Sequence, residues 1–488
     1  MTYLRVLGMG VLALAFSIGT LAQEPFAPGT WTHTKKAPPS LVAHAMLLTD
    51  GSVLVNSYFF SPHADPWYRL IPDSTGSYVN GTWVKAGTLP TGYNPVYFAS
   101  QVLPNAQVAI FGGEYNNGNG EWTTLGALYE PGPNKWVPLS APAAWTSVGD
   151  AQSSLLPDGK MMLANCCTRD EAIMTLSNGI ATWTPTGTGK ADSNDEEGWT
   201  MLPGGKILTV NAYASGGCCA KGFQIYNPAT GAWTTPAGNT VVNLVDPSSS
   251  ELGPVSLLPN KTLFAAGATT NNAIYTIASG KWAKAPSFGG GLDIADGPAA
   301  VLPDGNLLLD TSPGVYNNGS VFFEWDGLAL HRTTNPQNAA IDSSYNGYMV
   351  VLPTGQVLFT DFSSLVQIYT PVGSPCSGCA PTITSVATTL THGVTNNVIK
   401  GTQFTGMTQG VYYGDDDQSF TNFPLVRITD AAGHVVYCRT HSWVPGVATG
   451  NAIVGAQFDI PSTITTGPAS LDVVANGIAS TPVAVMID

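Results

Sequence analysis

The chain of 488 residues carries 18 Lys and Arg against 32 Asp and Glu, a formal charge of −14, and only 10% of its residues are charged. So acidic a chain lacks the basic patch that nucleic acid or an anionic membrane surface requires, which leaves a cation, a metal or a neutral substrate as the fitting partner. Its 54 Gly and 36 Pro, well above average usage, call for frequent turns and short strands.

Residues 1–22 read as a secretory signal peptide. Arg5 gives the basic start, Val6 through Leu21 the apolar core, and Thr20 and Ala22 the small residues of a cleavage site, so the mature chain is expected to begin at Gln23 and to be secreted, extracellular or periplasmic. A membrane anchor fits less well, because the run is short and broken by Gly8, Gly10 and Gly19. The phrase Gly29-Thr30-Trp31 then stands alone as a strand with no hairpin of its own.

From Leu47 one phrase is said seven times: an apolar run, a turn of the form L-P-x-G, and a second apolar run. It reads LLTDGSVLV from Leu47, VLPNAQVAI from Val102, LLPDGKMML from Leu155, MLPGGKILT from Met201, LLPNKTLFA from Leu257, VLPDGNLLL from Val301 and VLPTGQVLF from Val351. Pro presets φ after the first strand, and Asp, Asn or Gly accepts the left-handed turn, so each copy predicts a β-hairpin buried on both faces. The turn leucines recur every 44 to 56 residues, which predicts a seven-bladed kelch-type β-propeller. Trp83, Trp136, Trp183, Trp233 and Trp282 open the fourth strand of successive units, and Trp325 falls one strand early. The seventh unit stops after three strands, so the strand at Gly29–Trp31 is expected to complete it and close the ring.

At the joint PCSGC, Cys376 and Cys379 are expected to form a small bridge. Residues 380–488 then have the turn density of one immunoglobulin-like β-sandwich, giving an all-β chain with a propeller over residues 23–375. Of the other cysteines, Cys166–Cys167 and Cys218–Cys219 follow second strands of the third and fourth units. In an exported chain they suit disulfide bracing, within each pair or between blades, better than a thiolate metal site; Cys438 reads as a core residue.

Innermost strands of a propeller begin at one mouth of the channel. Counting back six residues from each turn leucine gives Val42, Tyr97, Asp150, Glu196, Leu252, Asp296 and Asn346, with Asp195, Glu251 and Tyr345 one residue further back. An acidic rim with two tyrosines results, and crowded like charges need a cation or raised pKa values. Asp150, Glu196, Glu251, Asp296 and Asn346 are therefore candidate binding residues. Tyr58, Phe59, Phe60, Trp67, Tyr115 and Trp122 in upper loops suit stacking on sugars. His63 lies in the same loops, and Asp415, Asp416 and Asp417 form an acidic run, read as a solvated turn before a calcium holder.

With a signal peptide, a seven-unit repeat and a C-terminal sandwich of early-set type, the chain resembles galactose oxidase and glyoxal oxidase. That resemblance implies copper held by two tyrosines and two histidines, with one tyrosine cross-linked to cysteine. Carried over, it makes Tyr97 and Tyr345 candidate catalytic residues and copper ligands with His441 of the RTHSW loop; a second register, on YGDDDQ, places Gln418 there instead. Asn346 stands where the family has histidine and Val42 where it has the cross-linking cysteine, so the implied site is incomplete. Three functions follow: binding of a carbohydrate or similar polar ligand by a monomer, copper-dependent oxidation of primary alcohols or aldehydes to peroxide, and a protein-interaction platform.

Overall fold

The computed structural model describes residues 26–57, 66–214 and 217–488. The signal-peptide reading and the expectations for Tyr58, Phe59, Phe60 and His63 fall outside the described residues. Among those described, no helix is long and apolar enough to cross a membrane.

The fold is all-β and propeller-like; among the described residues the one helix is a 3-10 turn at Ser344–Asn346. Seven antiparallel sheets follow the repeat. In the second, Ala99–Val102 and Val108–Phe111 form the hairpin around the L-P-x turn, and Leu125–Glu130 and Lys135–Ser140 extend it outward. The first two strands of each sheet are buried along nearly their whole length, as the unbroken apolar runs require, whereas Lys135–Ser140 alternates buried and exposed positions. Thr30–His33 pairs antiparallel with Gln367–Thr370, Trp31 opposite Tyr369, so the N-terminal strand supplies the missing fourth strand of the last sheet.

Neighbouring sheets meet along their first strands, as Ala99–Val102 does Ser153–Leu155 and Val42–Leu47 does Tyr348–Val351. Their outer parts are joined by the recurring tryptophans. The Trp136 ring meets Trp67 of the first sheet at 4.8 Å, Trp183 meets Phe111 of the second at 5.2 Å, Trp282 meets Phe223 of the fourth at 5.6 Å, and Trp31 meets Phe322 of the sixth at 5.3 Å. Each such pair adds about 0.5–1.5 kcal/mol beyond the area it buries. Trp67, expected as an exposed loop aromatic, is instead 1% exposed in the strand Pro66–Ile71, because it is the surface on which Trp136 closes.

Beyond residue 380 all the described strands but Val411–Tyr412 and Ile478–Ala479 follow one continuous path. Along it Val435–His441 pairs with Leu425–Asp430 through Cys438 and with Val454–Asp459 from Arg439 onward. Its end docks against the repeat turns: Thr440 N–H donates to Thr49 O at 3.1 Å and Ser442 N–H to Pro104 O at 2.5 Å. A second connection runs through the middle of the repeat sheets. Val411–Tyr412 adds a fifth strand to the sixth sheet, against Ala299 and Ala300, and Met201 N–H donates to the Gln409 side chain at 2.7 Å.

Cys218 and Cys219 are disulfide-bonded to each other, as are Cys376 and Cys379, while Cys166, Cys167 and Cys438 are free. Bracing between neighbouring sheets is therefore not how these cysteines serve. Cys438 is fully buried, a core residue beside Val426.

Candidate functional site

The loops that enter the first strands bring the rim together. Tyr97, Glu196 and Asp296 hold φ of 54°, 57° and 42°, and Gly149 before Asp150 holds 74°. Left-handed residues at the same place in three units, and one residue earlier in a fourth, turn the chain sharply before the inner strand, and Tyr97, Asp150, Glu196 and Asp296 at these turns face one cavity. Such strain persists where the surroundings over-determine it, and it concentrates at functional sites.

The result is a cavity of about 620 Å³. Tyr97, Asp150, Glu196, Glu251, Asp296 and Tyr345 all line it, as the sixfold count placed them. Glu114, Tyr115, Ser248, Ser249 and Tyr316 complete the wall from loops beyond the inner strands, and Asp415 and Asp416 enter from the C-terminal part of the chain. Of these, Tyr115 carried a sequence signal as an aromatic in an upper loop, and Asp415 and Asp416 one as part of an acidic run; Glu114, Ser248, Ser249 and Tyr316 carried none. Seven of the thirteen lining residues are carboxylates, and no Lys, Arg or His stands among them.

Four rim positions do not line the cavity. Val42 and Leu252 are fully buried core residues. Asn346 closes the 3-10 turn, its N–H bonded to Ser343 O at 3.0 Å, and Tyr345 beside it lines the cavity while Asn346 does not. Asp195 faces the thiols, accepting a hydrogen bond from Cys167 Sγ at 3.3 Å.

The acidic run is no solvated turn. Asp415, Asp416 and Asp417 are 4%, 3% and 2% exposed, because the segment is stitched to the inner strands. Asp417 N–H donates to Phe98 O at 3.1 Å and Phe98 N–H to Asp417 Oδ1 at 3.2 Å. Gln418 Oε1 accepts from Ser153 Oγ at 2.6 Å and Ser100 N–H at 3.2 Å, and Tyr413 donates to Tyr345 O at 2.7 Å. Gly414 lets this happen: a Cβ there would stand 2.0 Å from Asp296 Oδ1.

The proposed copper set is not assembled. His441 lies where the strand Val435–His441 meets the repeat turns, the opposite end of the inner strands from the cavity, with its Nε2 3.2 Å from Asp459 Oδ1 and its Nδ1 3.0 Å from Ser442 Oγ. A side chain engaged there does not reach Tyr97 or Tyr345. The segment that does enter is the YGDDDQ loop, and it brings Asp415 and Asp416, with Gln418 spent on backbone and serine contacts.

Burial dominates the electrostatics. It pushes the Asp150 carboxyl up to about 7, with the charge of Glu114 adding to the rise and a hydrogen bond from Cys166 opposing it. Burial first holds Glu196, Asp296 and Asp415 well above the usual carboxylate range; neighbouring charges add to it, Asp415 and Glu251 for Glu196, Glu251 and Asp415 for Asp296, and Asp150 and Glu251 for Asp415. Glu251 accepts a hydrogen bond from the Tyr316 hydroxyl. The Tyr316 ring meets that of Tyr345 edge-on at 5.3 Å, and Tyr97 lies 6.2 Å from Tyr115, so the wall alternates tyrosine faces with carboxylates. Such a surface accepts hydrogen bonds and cations and offers no counter-charge to an anion.

No family model matches the chain, and no curated protein matches it in sequence. Similar solved structures include a streptogramin B lyase (8% identity, TM-score 0.47, covering 71% of this chain and 98% of that one). Others are an extracellular domain assigned to a hybrid two-component system of B. thetaiotaomicron (10%, 0.47, covering 94% and 59%) and YCF48 bound to D1 peptide (11%, 0.46, covering 72% and 98%). These are propeller proteins of other families. The expected kinship with the galactose oxidase and kelch proteins does not hold: no family model matches the chain, and the similar structures are not of that family.

Proposed function

We propose that this is a secreted binding protein: seven blades over residues 23–375 form a ring, an immunoglobulin-like sandwich over 380–488 covers one face, and the acidic cavity at the other takes a small hydroxyl-rich ligand, a carbohydrate foremost. The observation that carries the reading is the composition of one wall, four tyrosines and seven carboxylates around about 620 Å³ with no basic side chain. Carboxylates accept hydrogen bonds from sugar hydroxyls, tyrosine faces stack on the apolar face of a pyranose, and the volume lies in the range of small-molecule sites.

The test is a glycan array followed by calorimetry on the mature chain. Binding weakened about tenfold or more by Tyr115→Ala and by Asp150→Asn is the expected outcome, each substitution removing one wall contact worth about 1.4 kcal/mol. An array with no binder, or a binder indifferent to both substitutions, refutes the reading.

A further inference from the structure

Glu196, Glu251 and Asp296 come from three successive sheets, yet each can offer a carboxylate oxygen such that all three lie within 4.8 Å of one another. Acidic groups cluster on many surfaces without a ligand, so the cluster alone says little. The second observation is independent of it. Asp415 and Asp416, delivered from the other part of the chain and at least 96% buried, line the same cavity with their Oδ2 atoms unpartnered; Glu251 Oε2 and Asp296 Oδ1 are unpartnered as well. A buried polar atom left without a partner costs about 1–3 kcal/mol, more for a charged group, and four such oxygens at one place point to a partner that the chain itself does not supply.

We infer that this is a binding site for a hard divalent cation of the calcium class, held by Glu196, Glu251 and Asp296 with Asp415 closing it from the C-terminal segment. The donor set is all oxygen, with no imidazole or thiolate among the four, which selects hard cations over copper or zinc. Four carboxylates brought from four separate stretches of chain favour the larger, geometrically tolerant ion over magnesium, which demands a near-ideal octahedron. A bound cation removes the mutual repulsion that these groups otherwise relieve only by holding protons. It also gives the cavity a second way to hold a ligand, since vicinal hydroxyls can complete the coordination sphere of such an ion.

This inference rests on the same cavity as the carbohydrate reading, so the metal is measured alone. The mature chain, stripped with EDTA and exchanged into buffer, is titrated with calcium chloride by calorimetry, and in parallel with terbium, whose emission is excited through tyrosine. Tyr316, hydrogen-bonded to Glu251, and its neighbour Tyr345 stand beside the site as antennae. One calcium per chain is expected, with terbium emission that calcium displaces. Glu251→Gln combined with Asp296→Asn should weaken binding by about 100-fold, and Asp415→Asn alone by about tenfold, whereas Asp158→Asn in an exposed repeat turn outside the cavity should change it less than about threefold. Near-ultraviolet circular dichroism shows that each variant is folded, and Asp415→Asn carries the test if the double variant is not.

Absence of calcium heat and of terbium emission up to about 10 mM overturns the site, as does binding that the double variant and Asp415→Asn both leave intact. A glycan that binds equally in calcium and in EDTA overturns the metal-bridged mode of holding hydroxyls while leaving the carbohydrate reading standing.

Discussion

Replacing Asp150 by Asn tests the electrostatics of the cavity directly. The carboxyl is pushed from 3.8 to about 7 by burial, with Oδ1 unpartnered. An acid whose native pKa is raised holds its proton more tightly when folded. Its contribution is therefore fully present below about pH 4 and is lost as the pH rises through 7. Roughly three pKa units at 1.36 kcal/mol each make the loss on the order of 4 kcal/mol by pH 8. Asn cannot ionise and escapes it. With unfolding entropy near 2.1 cal/mol/K per residue over the folded chain, about 4 kcal/mol corresponds to about 4 °C in Tm. The assay is thermal unfolding of both proteins in EDTA at pH 4.5 and pH 8. The Tm difference, variant minus wild type, should rise by about that much between the two pH values. A difference that stays flat, or falls, would show that Asp150 ionises freely in the folded protein, and the account of a buried, repelled carboxylate would fail.

Two further outcomes follow from the packing. Lys190 is 1% exposed at its side chain, 2.7 Å from Asp192 and also bonded to the fully buried Glu197, with Trp233 beneath it at 5.7 Å; Lys190→Met strands two buried carboxylates and should cost about 3–5 kcal/mol by urea unfolding, most of it recovered when Glu197→Gln is added. Gly414→Ala places a methyl group against Asp296, 2.0 Å from its Oδ1 and 3.1 Å from its Cα, so a loss of about 1–3 kcal/mol is expected together with weaker terbium emission, and unchanged stability would mean that the segment threads the sheets less closely.

The repeated turn proved more telling as a measure of register than as a family mark. An L-P-x-G hairpin sets where each inner strand begins, and a strand start is a local property. Counting back from the turn leucine therefore placed Tyr97, Asp150, Glu196 and Asp296 on one wall, and Glu251 and Tyr345 with them. At the seventh unit, where a short 3-10 turn spans Ser344–Asn346, Tyr345 lines the cavity and Asn346 does not.

The family resemblance misled for a different reason. Repeat number and turn chemistry follow from how antiparallel sheets are packed side by side, a constraint that unrelated sequences share. Ligand identity depends on which distant loop reaches the axis. Both RTHSW and YGDDDQ were candidates, and nothing local separates them.

What the amino-acid sequence determined alone is the part governed by short-range rules: strands from unbroken apolar runs, hairpins from their turns, the pairing of the orphan strand around Trp31 with an incomplete last unit, and the rim positions that follow. Only the tertiary structure decided that Asp415 and Asp416 enter the cavity and that His441 does not. That choice is made by hydrogen bonds from Asp417 and Gln418 to Phe98, Ser100 and Ser153, more than 260 residues away along the chain, and by the bare Gly414 that lets the segment pass Asp296. Contacts of that separation are set by how the whole chain packs, and no local pattern records them.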